Sequence, residues 1–338
     1  MLTLDVLENI ELSPKSRGQI VVGTLFLAPN YNVARTHIEL EGAEKIPKDE
    51  PVIFAMNHTD RYNYWPFQYK LWRSLDAYTT TWVKGKYYNK APLRKFMIKT
   101  NNLAVPSRGY LITADAANVL DHPPADDTYR VLRDAVDAKD KDTRRVREAA
   151  AERGVLSQVV PILDTPRDML GMRFEPHRHN YLEAMTELFS QMMERFVALN
   201  EQAFELGLHI IIFPEGTRSV RLQKGKPGLA QMALRMNATV VPVGCNGSDE
   251  IYPGDSPVAR GGRIVYRIGE PLRRDEELAD FQIDEAFTPF TDDAEQKYGD
   301  TFQAMTDLVM ERIEGLLDER HLPRDGTSGS VDGTDRFL

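Results

Sequence analysis

The stretch HIIIFPEGTRS, residues 209–219, is the most informative in the chain. A continuous apolar run is broken at Pro214, and Glu215, Gly216, Thr217 and Arg218 then follow in consecutive positions. Such a run reads as a buried strand that ends in a turn. Gly216 permits a tight turn and close backbone approach. Arg218 offers a planar fork of donors that matches phosphate, and Lys224 and Lys226 stand shortly after it. A purely structural turn rarely needs both an acid and an arginine at the edge of a sheet where ligands bind.

Working outward, other short β-type runs fall at 37–41, 52–56, 78–83, 102–105, 239–245 and 262–268. Helical patterns lie between them at 65–74, 92–100, 181–206, 225–236 and 295–319. The alternation predicts an α/β fold, a mixed and largely parallel sheet flanked by helices. It is interrupted once, by a helical insertion over 110–180 that caps the sheet edge. Within it, 126–153 mixes acids and bases at helical spacing and predicts one largely solvated helix. Its apolar positions, Val131, Leu132, Ala135, Val136 and Val146, are too few for a core of their own. The expected organisation is an N-terminal segment 1–36, a main domain formed by 37–109 and 181–320, the insertion 110–180, and a disordered Gly/Ser/Asp-rich tail 322–338.

Two further blocks carry candidate chemistry. In VIFAMNHTDRYNYWPF, 52–67, an apolar strand gives way to polar residues at its carboxyl end, where open α/β sheets place ligands. His58 stands there as a candidate base. Asn63 and Asp60 are each placed to accept a hydrogen bond from one ring nitrogen, leaving the other to take a proton. In NNLAVPSRG, 101–109, Arg108 follows the end of a strand as a candidate oxyanion ligand. In TVVPVGCNG, 239–247, Pro242 predicts a strand edge or bulge, and Cys245 reads as a small buried residue.

Charge narrows the partners. A net charge of −9 argues against nucleic acid. The chain is nevertheless free of acids from Ala77 to Gly109, while Lys84, Lys86, Lys90, Arg94, Lys95, Lys99 and Arg108 lie within that span. Trp82, Tyr87, Tyr88 and Phe96 are interleaved with them, a combination suited to an anionic ligand or an anionic membrane surface. The longest apolar stretch, QIVVGTLFLAP at 19–29, is too short to span a bilayer, and the acidic N-terminus is unlike a secretory signal. A single cysteine excludes an intramolecular disulfide, so a cytoplasmic protein is expected. No G-x-S-x-G, H-E-x-x-H or Walker A motif occurs; His177 and His179 read as a basic loop, and no metal or cofactor is expected.

The order of these blocks resembles the glycerolipid acyltransferase family, which includes lysophosphatidate and glycerol-3-phosphate acyltransferases. Asn57-His58 stands for its N-H-x4-D motif, Arg108 for its arginine after a strand, and Phe213 through Ser219 with Lys224-Gly225 for its F-P-E-G-T-R-S block. Val241-Pro242-Val243 stands for its V-P-V segment, and VKGKYY at 83–88 for its basic segment. The resemblance covers about 37–268 apart from the insertion. It implies direct transfer of a fatty acyl group from acyl-CoA or acyl carrier protein to a hydroxyl of a phosphate-bearing lipid acceptor. His58 would be the general base; Arg108 and Arg218, with Lys84, would bind the phosphate; Glu215, Gly216 and Thr217 would belong to the acceptor pocket. Peripheral attachment to the inner face of the membrane is the expected location.

Two departures stand out. The family aspartate falls on Asn63, and 104 residues separate Arg108 from Phe213. The asparagine supports an alternative reading, a catalytically weak or inactive relative that binds anionic lipid or an acyl carrier.

Overall fold

A computed structural model describes residues 1–138 and 142–324. The expected disordered tail lies outside the described residues from 325 onward.

Seven strands form the main sheet among the described residues. They are β1 (Thr36–Glu41), β2 (Ile53–Met56), β3 (Thr79–Lys84), β4 (Asn102–Val105), β7 (His209–Ile212), β8 (Val240–Asn246) and β9 (Gly262–Ile268), and β5 (Arg167–Met169) pairs with β6 (Met172–Phe174) in a separate hairpin. The spatial order is β1-β9-β8-β2-β7-β3-β4, and every neighbouring pair is parallel except β8 with β9. The expected strands therefore stand within a residue or so at each end.

The apolar side chains of β2 and β7 divide between two layers, as the two-residue period of a strand requires. Ile53 and Ala55 join Ile210 and Ile212 beneath α11 (Gly228–Met236) and α13 (Asp292–Glu314). Phe54 and Met56 join Ile211 on the opposite side, against Phe67 and Leu71 of α4 (Tyr64–Leu75). Strands covered on both faces have no solvated side, which is why these runs lack polar alternation.

The connections locate the site. From β2 the chain runs through α4 to β3 on one side, whereas from β7 it runs through α11 to β8 on the other. β2 and β7 are adjacent, so the turns at their carboxyl ends, 57–63 and 213–219, flank a topological switch point. Open α/β sheets place their ligands at such points.

Pro242 corrects an expectation. It occupies β8, an interior strand, and not an edge. Val240 N–H donates to Leu272 O on the β9 side, so the amide position two residues on faces the same way. There β9 has already ended, and the Pro242 carbonyl takes the Gly269 N–H. The missing donor meets no ladder partner.

The insertion explains the long spacing between Arg108 and Phe213. Residues after β4 build α6 (Arg108–Leu120), α7 (Asp126–Asp137), α8 (Thr143–Glu152), α9 (Leu156–Asp164), the small hairpin and α10 (Tyr181–Glu205). The expected single helix over 126–153 is two helices. One straight helix would hold Val131 and Val146 about 22 Å apart. Folding α8 back, with Asp142 capping its first turn, buries Val131, Leu132, Val136 and Val146 in one cluster with Leu103 and Ala104 of β4. Leu2 and Leu7, on and beside α1 (Leu4–Glu8), enter the same cluster. The stretch is therefore not a solvated helix.

Candidate active site

The turn after β2 is fixed before any chemistry is considered. The buried Asn57 side chain accepts the Cys245 N–H at 2.7 Å and donates to the Cys245 carbonyl at 3.0 Å, which locks the end of β2 to β8. Burial pushes the Cys245 thiol far above its ordinary range, so it is inert as a nucleophile. The next residue, His58, is tied to the loop after β7 at both ends of its peptide. Its N–H donates to Glu215 Oε1 at 2.7 Å, and its carbonyl accepts the Ser219 N–H at 2.8 Å.

The His58 ring lies nearly parallel to Phe213, with centroids 4.1 Å apart and planes at 18°. Nδ1 stands 3.2 Å from Asn63 Oδ1. Asn63 is fully buried, and its Nδ2 donates to the Asn57 carbonyl at 2.8 Å. That second bond sets the direction of the first. Turning the amide over would oppose two carbonyl oxygens, so Oδ1 must face the ring and Nδ1 must carry the proton. Nε2 is left as the basic nitrogen. An asparagine in place of an acid can abolish catalysis by enforcing the wrong tautomer, at about 10⁴ in rate in serine proteases; here its amide is pinned the other way.

What the asparagine does not supply is charge. Burial, opposed by the Asn63 bond and reinforced by Arg218 and Lys84, pushes the His58 pKa from 6.5 down to about 3. Between those values the unfolded chain holds a proton that the folded chain lacks. The stability contribution of His58 is therefore complete above pH 6.5 and is lost as pH falls toward 3. The expected NMR titration of the native His58 ring shows no protonation step between pH 5 and 8. Asn63→Asp, by placing a carboxylate on Nδ1, should bring a step into that range; a ring that stays silent would mean that position 63 does not govern its basicity.

Asp60 does not share this role. Its carboxylate accepts the Tyr62 N–H at 2.7 Å and the Thr59 hydroxyl at 3.0 Å, closing the 57–63 turn away from the imidazole. Of the two expected partners only Asn63 meets His58.

The 213–219 loop is built on Glu215. Its carboxylate, 2% exposed, bridges the His58 N–H through Oε1 and the Gln223 N–H at 2.8 Å through Oε2. Burial raises its pKa to about 7 against the pull of those two bonds. Gly216 sits at φ +67°, where a side chain is strained, and its N–H closes onto Phe213 O at 3.0 Å. A β-carbon there would also come within 3.3 Å of the Lys226 side chain. Thr217 is half-buried beside it, and Arg218 is exposed. Among the described residues the Arg218 guanidinium makes no hydrogen bond or ion pair, although its charge acts on His58. Lys84, exposed at the end of β3, acts on the same ring. The far side of the loop is clasped by the C-terminal segment: Leu222 N–H donates to His321 O at 2.8 Å and Arg221 Nη1 to Leu322 O at 3.0 Å.

Arg108 stands apart. It opens α6, yet its guanidinium binds Asp292 at 3.0 Å, lies 3.6 Å from Asp137, and covers the Phe189 ring at 4.7 Å. The insertion and α13 neutralise it, and it does not join Arg218 and Lys84 in acting on the His58 ring. Asp137 and Asp292 are too distant in sequence for their convergence to be foreseen. His177, expected as part of a basic loop, is exposed beside Glu175, and no metal-binding group of His, Cys, Asp or Glu occurs among the described residues. Asn57 and Gln223 were not foreseen as site residues; the first had a signal, being the residue before His58, and the second had none.

The turns after β2 and β7 thus bring together an imidazole with a fixed tautomer and an arginine that has no counter-ion among the described residues. Residues 176–246 match the family model described as Acyltransferase. The matched residues include the Glu215 loop and β8, while the His58 turn lies before them. No curated protein matches the sequence. Among solved structures, the 1-acyl-sn-glycerophosphate (LPA) acyltransferase PlsC from Thermotoga maritima is similar at 14% identity and a TM-score of 0.39, over 92% of this chain and 88% of that one.

Proposed function

We propose that the chain transfers a fatty acyl group from a thioester, acyl-CoA or acyl carrier protein, to a hydroxyl of a phosphate-bearing lipid acceptor such as a lysophospholipid or glycerol 3-phosphate. The observation that carries this reading is the His58–Asn63 pair at the carboxyl end of β2, with Arg218, which has no ion pair among the described residues, on the adjoining loop after β7 and near enough for its charge to act on the ring. His58 Nε2 takes the acceptor proton as the hydroxyl oxygen attacks the thioester carbonyl. The C–O bond forms, the C–S bond breaks, and the imidazolium returns the proton to the departing thiolate. A low basicity makes His58 a modest base but a strong acid in that second step, and Asn63 holds the same nitrogen in place for both.

Arg218 supplies the acceptor specificity. A charge-assisted bond to phosphate contributes on the order of 2 kcal/mol, so Arg218→Ala should raise the acceptor KM roughly 10- to 100-fold and leave the donor KM nearly unchanged. Arg108→Ala should leave the acceptor KM alone, because its charge is spent on Asp292 and Asp137. Steady-state kinetics with acceptors that bear or lack the phosphate test this. Equal use of both acceptors by the native protein would remove the phosphate from the account. The alternative of a binding protein without turnover draws on the uncharged partner of His58, and the pinned tautomer counts against it.

A further inference from the structure

The turn that carries His58 is gripped at both ends by one cross-strand pair. Cys245 of β8 and Tyr266 of β9 stand directly opposite each other in the antiparallel ladder. At the start of the turn, the Cys245 backbone holds the Asn57 side chain. At its end, the fully buried Tyr266 donates its hydroxyl to the Asn63 carbonyl at 2.5 Å. The first grip belongs to the backbone of β8. The second depends on a single side-chain oxygen.

Asn63 needs that grip because its own helix does not hold its side chain. It occupies the N-cap position of α4, yet its side chain makes no capping bond. An N-cap oxygen ordinarily accepts the N–H of the second or third helical residue. Here the second, Trp65, gives its N–H to the Tyr62 carbonyl at 2.8 Å, and the third is Pro66, which has none. The Asn63 amide is thereby released from capping and turns back on the 57–63 turn, Oδ1 to the His58 ring and Nδ2 to the Asn57 carbonyl. Its backbone is steadied by β9 instead. The Tyr266 ring is itself fixed against Phe67, one turn further along α4, with centroids 5.0 Å apart. Burial pushes the Tyr266 hydroxyl well above its ordinary range, so it stays protonated and keeps donating wherever the protein is folded.

We propose that Tyr266 is a positioning residue for the base: through the Asn63 carbonyl it holds the amide that fixes the His58 tautomer and the direction of Nε2. The inference rests on the reading of His58 as the base. The ring nitrogens report on it whether or not the protein turns over, so the two can fail separately.

The test is Tyr266→Phe, which removes the hydroxyl and keeps the ring on Phe67. Tyr252→Phe serves as the matched loss of a buried hydroxyl, one that donates to the Tyr31 oxygen at 3.1 Å. Both variants should fold, since each keeps its aromatic ring in place. NMR of the ring nitrogens should show native His58 with Nδ1 protonated and Nε2 bare. Tyr266→Phe should mix the two tautomers, and Tyr252→Phe should leave them as they are. A reacting group about 1 Å out of place can lose about 10²-fold in rate. With the Asn57 bond still holding the amide, Tyr266→Phe should lower kcat roughly 10-fold and leave both KM values unchanged. On the His58→Ala background it should cost nothing further, because no ring is left to place. A His58 ring that keeps its native tautomer in Tyr266→Phe would overturn the proposal. So would a rate loss that persists on the His58→Ala background or is matched by Tyr252→Phe, which would mark a general loosening of the core. If the native protein releases no thiol from an acyl thioester, the proposed reaction fails, and the tautomer comparison alone decides for or against Tyr266.

Discussion

His58→Ala is expected to lower acyl transfer by about 10²- to 10⁴-fold, the range in which a positioned general base contributes. The loss should fall on kcat, because the ring meets the acceptor hydroxyl only as its proton moves. Folding should survive. The backbone N–H and carbonyl that tie this turn to Glu215 and Ser219 belong to any residue at position 58, and the ring itself covers only Phe213 and Asn63. Removing an imidazole that is held neutral even where the unfolded chain would protonate it also relieves a cost below pH 6.5. Melting curves at pH 5 and 8 alongside the kinetics separate the two effects. A folded variant with native turnover would eliminate His58 as the base.

Glu215→Gln probes the scaffold and not the proton transfer. The carboxylate receives two backbone N–H groups, one on each oxygen, whereas a primary amide can accept on only one side. Either the His58 or the Gln223 amide is then left facing a donor. A displacement of about 1 Å at a reacting group can cost about 10²-fold, so the rate should fall roughly 10- to 100-fold with the chemistry otherwise intact. The pH dependence carries the signature. Folding raises the Glu215 pKa from 4.5 to about 7, so the folded chain keeps a proton that the unfolded chain has lost across that window. Native stability therefore declines as pH rises through it, by about 3 kcal/mol in full. Glutamine does not titrate, so relative to the native protein the variant should gain about that amount between pH 5 and 8. The native rate should rise through pH 7 as the carboxylate completes its two-amide grip, and this limb should vanish in the variant. Parallel stability curves for the two proteins would contradict the assignment.

The sheet was legible because its central runs, Ile53–Met56 and Ile210–Ile212, are apolar at every position and its helices carry the longer period; two signals that differ in period are hard to confuse. The two turns were legible because polar residues crowd the ends of those apolar runs. Within the turns, legibility stopped at pairings. Asp60 and Asn63 both stand near His58 in the chain, and only the Asn57 carbonyl, reached through the fold, decides between them. Arg108 had the sequence context of a phosphate ligand, but two carboxylates from remote helices claim it. The helix over 126–153 was misread because alternating charges dominate its surface, while four buried apolar residues determine where it folds back. The exposed side of residues 17–34 failed to register for a related reason: it becomes visible only when Gly23, Leu27 and Tyr31 are seen buried on the opposite side.

The most direct measurement is release of free thiol by the purified protein from acyl-CoA and, separately, from acyl carrier protein thioester, with and without a lysophospholipid or glycerol 3-phosphate. The account predicts release that requires the phosphate-bearing acceptor, matches the acylated product mole for mole, and disappears in His58→Ala. Absence of acceptor-dependent release from either thioester, in a protein that still binds the acceptor, would contradict it and leave a lipid-binding relative without turnover.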